Sequence, residues 1–203
     1  YTLEYRWYYA PLVVLLLFSS LLCMAASALF HWRSCSAQKE HACYMCIDRC
    51  FILAVVATSF AAGVTIGFAC MPKLQKAYLA MSFIVCTIMW ISMAIPGLRR
   101  HARTVFILCG SSGLVPAIHW FLSAGSHVQN ALGLNVGLMI VGYGSGAIFL
   151  VSSVPERWSP GLFDLVGQSH QLWHVLVFFA AAAYLEGIFY AYDLLRTDPS
   201  FCA

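Results

Sequence analysis

Long apolar runs alternate with short polar breaks along the whole chain. A run of about 20 residues can cross a bilayer as a helix, at about 1.5 Å rise per residue. Six runs qualify: Tyr9–Phe30, Cys50–Cys70, Ala77–Ile95, Thr104–Ala124, Ala131–Val151 and Leu172–Tyr192. None contains Lys or Arg, and Glu186 is the one carboxylate well inside a run. Small residues recur in stretches such as "SFAAGVTIGFA", and Gly133 with Gly137 and Gly142 with Gly146 form small-xxx-small pairs. Such residues let helices approach closely in lipid. Pro116 near His119 predicts a kink in the fourth run. The pattern predicts an all-α membrane protein, a polytopic helical bundle forming a single transmembrane domain over residues 1–203. Ala26-Ser27-Ala28 resembles a signal-cleavage site, but the run before it is long and lacks a positive cluster, so it reads as a span.

Composition names the solvent. The chain is 62% hydrophobic and 9% charged, against about 25% charged in soluble domains. So short a chain cannot bury that much apolar surface in a core of its own, which leaves lipid. A net charge of +3 without a basic run gives nucleic acid no foothold. The chain opens on Tyr rather than Met, and reads as a fragment of a longer protein. Alternating spans put residues 31–49, 96–103 and 152–171 on one side, with Arg33, Lys39, Arg49, Arg99, Arg100, Arg103 and Arg157. The other side carries Arg6, Lys73, Lys76 and Arg196. The positive-inside rule then makes the first side cytoplasmic and puts both chain ends outside. Plasma membrane and endomembrane fit equally. Cys43, Cys46 and Cys50 crowd the cytoplasmic side and are expected to be reduced thiols; Cys23, Cys86 and Cys109 lie inside spans.

Topology also gathers chemistry. His31 ends the first span, Asp48 begins the second, and His170 and His174 begin the sixth, all on the cytoplasmic side. A four-residue spacing puts His170 and His174 on one helix face, one turn apart. Three imidazoles with an open position make a familiar Zn²⁺ shell. Blander readings stand beside this one. An interfacial His is often only a tolerated polar residue, a His-x-x-x-His pair arises by chance, and Asp48 suits a helix N-terminus through the dipole. Cys43-x-x-Cys46 has no second motif beside it. Glu186 lies roughly 18 Å from His174 along a helix, too far for the same shell. His41, His101 and His127 read as solvated loop residues, and Trp7, Tyr8, Tyr9, Trp32, Trp158, Tyr190 and Tyr192 as an interfacial belt.

The motif "VPERWSPGLFDLVGQSHQLWH" (Val154–His174) resembles the signature segment of the progestin and adipoQ receptor family, which includes the adiponectin receptors and the haemolysin III group. "SALFH" (Ser27–His31), Asp48 at its spacing from His31, and "GSSGLVPAIHW" (Gly110–Trp120) resemble further family segments. The resemblance implies seven spans with an intracellular N-terminus, so the six here would correspond to the second to seventh. It implies Zn²⁺ on His31, His170 and His174, with Asp48 binding or orienting the ion's water and Ser27 hydrogen-bonding that water or the substrate. Pro155, Glu156, Arg157, Phe163 and Asp164 would be structural. The implied activity is ceramidase-like hydrolysis of a membrane lipid amide, with Asp48 as general base. The competing expectation is a receptor with structural zinc that responds to an extracellular protein or steroid. Three histidines leave a coordination position open, which favours the amidase; direct ligation by Asp48 would favour the receptor. A transporter lacks a midplane polar path, and a retinal protein lacks a Lys in any span. Subgroup and oligomeric state are left open.

Overall fold

The computed structural model describes residues 9–33, 38–163 and 165–202, and among them six helical segments are long and apolar enough to cross a membrane. They are α1 (Ala10–Trp32), α2 (Gln38–Gly67), α3 (Pro72–Ala94), the composite segment Arg99–Ser123, α6 (Ser126–Ser152) and α7 (Ser169–Thr197). The composite crossing is a 3-10 turn at Arg99–His101, then α4 (Ala102–Ser111) and α5 (Leu114–Ser123). Pro116 falls in the first turn of α5, where its missing N–H costs no helical bond. The expected kink is therefore a break at residues 112–113. Proline also opens α1 and α3 within their first two positions.

The bundle is apolar on the outside. Val14 is 65% exposed, Phe83 74% and Leu134 73%, a surface only lipid covers favourably. Inside, Leu16, Ile66 and Leu132 are almost fully buried in one cluster, and Met89 with Phe60 in another. Polar side chains join helices where lipid offers no partner: Ser19 Oγ and Thr58 Oγ1 lie 2.7 Å apart between α1 and α2, and Tyr184 Oη of α7 donates to Ser59 O of α2 at 2.6 Å. Helices α6 and α7 pack along Gly142 and Gly146. A Cβ on Gly142 would meet Ala180 Cβ at 2.8 Å, and one on Gly146 would meet Trp173 at 3.0 Å. Gly137, by contrast, faces open space, so only the second small-residue pair works as expected.

The chain ends α1, starts α2, ends α3, starts the fourth crossing, ends α6 and starts α7 at one end of the bundle, hereafter the histidine end. At the opposite end a Cys70–Cys202 disulfide ties the α2–α3 turn to the chain's last 3-10 turn, Pro199–Cys202. That pair was not read from the sequence, although span parity already puts both cysteines on one side.

Several sequence expectations need correction. Helix α2 starts at Gln38, a dozen residues before its apolar run, so Asp48 lies in the helix interior and is no N-terminal acid. The polar first turns extend the helix beyond the bilayer. His41 lies in α2, His101 in the 3-10 turn and His127 in the first turn of α6, rather than in loops. His127 Nε2 approaches Asp198 Oδ2 at 3.2 Å. Tyr9 is a buried core residue, 6% exposed, packed inside the bundle rather than facing outward in a belt, whereas Trp32 and Trp158 are exposed. Arg6, Trp7, Tyr8 and Asp164 lie outside the described residues.

Candidate functional site

At the histidine end, α1 and α7 deliver imidazoles to a common point. His31 is in the last turn of α1, and His170 and His174 are in the first two turns of α7. His31 Nε2 lies 3.1 Å from His174 Nε2 and 3.4 Å from His170 Nε2, and the last two lie 3.2 Å apart. This triangle cannot be a ring of hydrogen bonds. Each Nε2 carries either one proton or one lone pair, directed outward in its ring plane. With a single function on each nitrogen, at most two of the three contacts can pair a donor with an acceptor, so at least one always sets two donors or two lone pairs against each other. A cation at the centre satisfies all three lone pairs at once, and these three residues form a group that could hold a metal ion. His31 and His170 are exposed and His174 is half-buried, so the centre opens on one side.

Asp48 comes to this group from the third turn of α2. Its carboxylate interacts electrostatically with His31 and accepts a hydrogen bond from Ser27, one turn before His31 on α1. The Oδ1 atom is buried and has no hydrogen-bond partner. A buried carboxylate oxygen without a donor is costly, and a water or ion beside the imidazoles would relieve it. Asp48 supplies none of the donors of the metal-holding group, which consists of the three histidines.

The start of α7 is held by the loop before it. Ser169, buried, donates from its backbone N to Glu156 Oε2 at 2.8 Å and from its hydroxyl to Glu156 Oε1. Those two bonds lower the Glu156 pKa below the usual carboxylate range, and the helix dipole acts in the same sense. Gly167 N donates to Gln171 Oε1 at 2.6 Å, and Gln171 Nε2 donates to Leu165 O at 3.0 Å. The Ser-His-Gln triplet thus divides its labour: Ser169 and Gln171 fasten the helix start on either side of the His170 imidazole. Gly167 has φ +85°, and Phe163 lies against it. Glu156 and Phe163 therefore support the loop that aims His170. This is consistent with the structural part expected of them, and α7's placement depends on Glu156 more directly than sequence indicated.

Other ionisable residues stand apart. Glu186 Oε2 accepts from Asn135 Nδ2 at 3.2 Å on the α6–α7 surface. Tyr78 Oη and His119 Nδ1 share a 2.6 Å hydrogen bond. Cys43, Cys46 and Cys50 are free and exposed, and among the described residues they belong to no metal-holding group.

Comparison with known proteins gives one consistent result. The sequence model of the family described as "Haemolysin-III related" matches residues 3–185. The chain is 34% identical over 205 aligned positions to the heptahelical transmembrane protein ADIPOR2 of Oryza sativa subsp. japonica, covering 98% of this chain and 87% of that protein. It is 31% identical to the heptahelical transmembrane protein 3 of Arabidopsis thaliana, over 88% of this chain and 54% of that protein. It is 33% identical to the adiponectin receptor protein of Drosophila melanogaster, over 83% of this chain and 40% of that protein. The chain thus spans about half or less of the length of the last two.

Proposed function

The chain belongs to the haemolysin-III-related family, that of the progestin and adipoQ receptors, and from that premise we propose that it is a multi-pass membrane protein whose His31, His170 and His174 hold Zn²⁺ to hydrolyse a ceramide-like lipid amide. The observation that carries the proposal is the buried, unpartnered Oδ1 of Asp48 beside the imidazole triangle. A carboxylate left short of a donor next to three convergent lone pairs is a base in need of a proton source, and water is the natural one.

Zinc is favoured over other ions by spacing and donor type. Tetrahedral Zn–N bonds of about 2.0–2.1 Å put ligand nitrogens about 3.3–3.4 Å apart. The observed edges of 3.1, 3.2 and 3.4 Å bracket that value. Imidazole donors also suit zinc better than calcium or magnesium, which prefer oxygen. Bound there, Zn²⁺ supplies Lewis acidity, polarising an amide carbonyl and lowering the pKa of water toward neutrality. The chain's own residues do the rest. Asp48 Oδ1 takes the proton of the attacking water and later returns it to the leaving amine, while Ser27 holds the other carboxylate oxygen in place. Glu156 and Gln171 fix the α7 start so that His170 and His174 keep their aim. The apolar outer wall of the bundle accommodates acyl chains, whose burial contributes about 0.8 kcal/mol per CH₂.

Two features support a cytoplasmic histidine end. Seven of the chain's eleven cations fall on that side. The Cys70–Cys202 disulfide lies at the other end, and disulfides persist in oxidising compartments. The receptor reading, in which zinc is structural and a hormone or steroid shifts the helices, is favoured by the name of the Drosophila relative. Structural zinc is usually closed by four protein ligands, and the group here offers three.

The test uses the purified full chain in lipid nanodiscs, with zinc measured by mass spectrometry and lipid products measured on a ceramide panel. Wild type should bind zinc and release sphingoid base, and chelation should stop release. His170→Ala should lose the metal. Asp48→Asn should keep the metal and lose turnover. Full zinc occupancy in His170→Ala would refute the metal site. Zinc-loaded protein inert on every ceramide, or Asp48→Asn with full activity, would refute the amidase and leave the receptor.

A further inference from the structure

The α2 turns that carry Asp48 inward carry three thiols outward. Cys43, Cys46 and Cys50 are separated by three and four residues, so at 100° per residue they lie within about 60° of one another on one helix face. All three are free and exposed, while Tyr44, Met45 and Asp48 on the other side are half-buried. The stripe climbs about 10 Å along the axis. It runs from the polar first turns, where Lys39 stands exposed one turn below Cys43, up to Cys50, where the 21-residue apolar run begins. The thiols thus straddle the boundary between lipid and water, beside basic side chains at positions 39 and 49.

Other uses of such a cluster fit poorly. Three sulfurs strung over about 10 Å of one helix do not converge on one cation, and no metal-holding group among the described residues includes them. The nearest imidazole on the helix, His41, has its ring against Phe30 at 5.2 Å, toward α1. The cysteines serve no packing role, since thiols are ordinarily among the most buried side chains. What remains is a nucleophile at the depth where long-chain acyl thioesters partition.

We propose that Cys43, Cys46 and Cys50 form an S-acylation site, taking long-chain acyl groups from an acyl thioester at the bilayer surface. The cysteine sulfur attacks the acyl carbonyl carbon, and a new C–S bond forms as the bond to the donor's sulfur breaks. The donor leaves as a thiol carrying the proton the cysteine gave up, so no oxidant or reductant is needed. The attached chain then enters the same leaflet along the outer side of α2, behind Asp48. This rests on the cytoplasmic orientation of the histidine end, where acyl thioesters and reduced thiols coexist.

The test is expression of the full chain in cells fed an alkyne fatty acid, with hydroxylamine-sensitive label read on the purified protein and mapped by peptide mass spectrometry. Wild type should carry thioester-linked acyl groups on the peptide containing Cys43 and Cys46. Cys43→Ser/Cys46→Ser/Cys50→Ser should drop to background, while Cys86→Ser/Cys109→Ser should label like wild type. Mapping on wild type decides the matter even if the triple variant fails to fold. Thiols recovered free, a Cys46–Cys50 disulfide, label resistant to hydroxylamine, or label found only on peptides without Cys43, Cys46 and Cys50 would each overturn the proposal. A membrane-impermeant maleimide applied to intact and to opened cells reports sidedness separately. Labelling in opened cells alone, with no acyl group found, overturns acylation and leaves the orientation standing.

Discussion

Replacing Gly142 by Ala tests how closely α6 must approach α7 for the site to form. The added Cβ would meet Ala180 Cβ at 2.8 Å, Leu176 O at 3.2 Å and Ala180 Cα at 3.3 Å. All three are backbone atoms or fixed directly to backbone, so no rotamer change relieves them. Carbon atoms rest at about 3.5–4.0 Å, so the helices must part by roughly 0.7–1.2 Å at this crossing. Overpacking of this kind costs about 1–3 kcal/mol. Exchanging a helical Gly for Ala returns about 0.8–1.0 kcal/mol of backbone propensity, which offsets the loss only at its lower limit. Leu176 follows His174 by two residues, and α7 carries two of the three imidazoles. Metal–ligand distances tolerate about 0.2 Å, so even a fraction of the parting borne by α7 disturbs the triangle. The assay is thermal unfolding of the purified protein in one detergent, paired with zinc affinity by chelator competition. Gly137→Ala is the control, because nothing lies within 4 Å of a Cβ there; it should be neutral or slightly stabilising. Gly142→Ala should unfold several degrees earlier and bind zinc more weakly. Equal behaviour of the two variants would refute the packing argument.

Gly63→Ala should destabilise, because its Cβ would meet Tyr184 Oη at 2.6 Å. Tyr184→Phe removes that oxygen and its bond to Ser59 O, so the double variant should be less destabilised than the sum of the singles, by about 0.5–3 kcal/mol; strict additivity in denaturant unfolding would contradict the contact. Cys70→Ser/Cys202→Ser opens a loop of sequence separation 132, which the chain-entropy relation values at up to about 5 kcal/mol; unchanged resistance to sodium dodecyl sulfate unfolding would rule out a stabilising role. Glu156 has a lowered pKa because Ser169 donates two bonds to it, so its contribution is present above the ordinary carboxylate value and fades as pH falls through the lowered one. Glu156→Gln should therefore be less stable than wild type at neutral pH, with the gap closing in acid; a gap constant with pH would exclude the linkage.

The crossings were legible because lipid imposes a simple rule: each span must be apolar over its whole length and hydrogen-bond its own backbone. Every apolar run accordingly coincides with a helical crossing. Helix ends were less legible, as Gln38 to Arg49 shows. Once a helix leaves the bilayer, polar residues continue it at little cost, and hydropathy no longer marks its end. The shared end of His31, His170 and His174 was legible through parity alone, since alternate spans return to the same side.

Parity fixes which end of the bundle a residue occupies, and the chain by itself determined that much: six crossings, the gathering of histidines and Asp48 at one end, and Cys70 with Cys202 at the other. It says nothing of which crossings are neighbours or which faces meet. Only the tertiary structure brought Nε2 atoms 143 residues apart to 3.1 Å, left Asp48 Oδ1 buried without a partner, set Glu156 against Ser169 and chose Gly142 over Gly137 as the close approach. In lipid both sides of a helix are apolar, so no amphipathic stripe marks the buried face. Rotation about each axis is then decided by the fit of small and large side chains across the bundle, which local sequence does not encode.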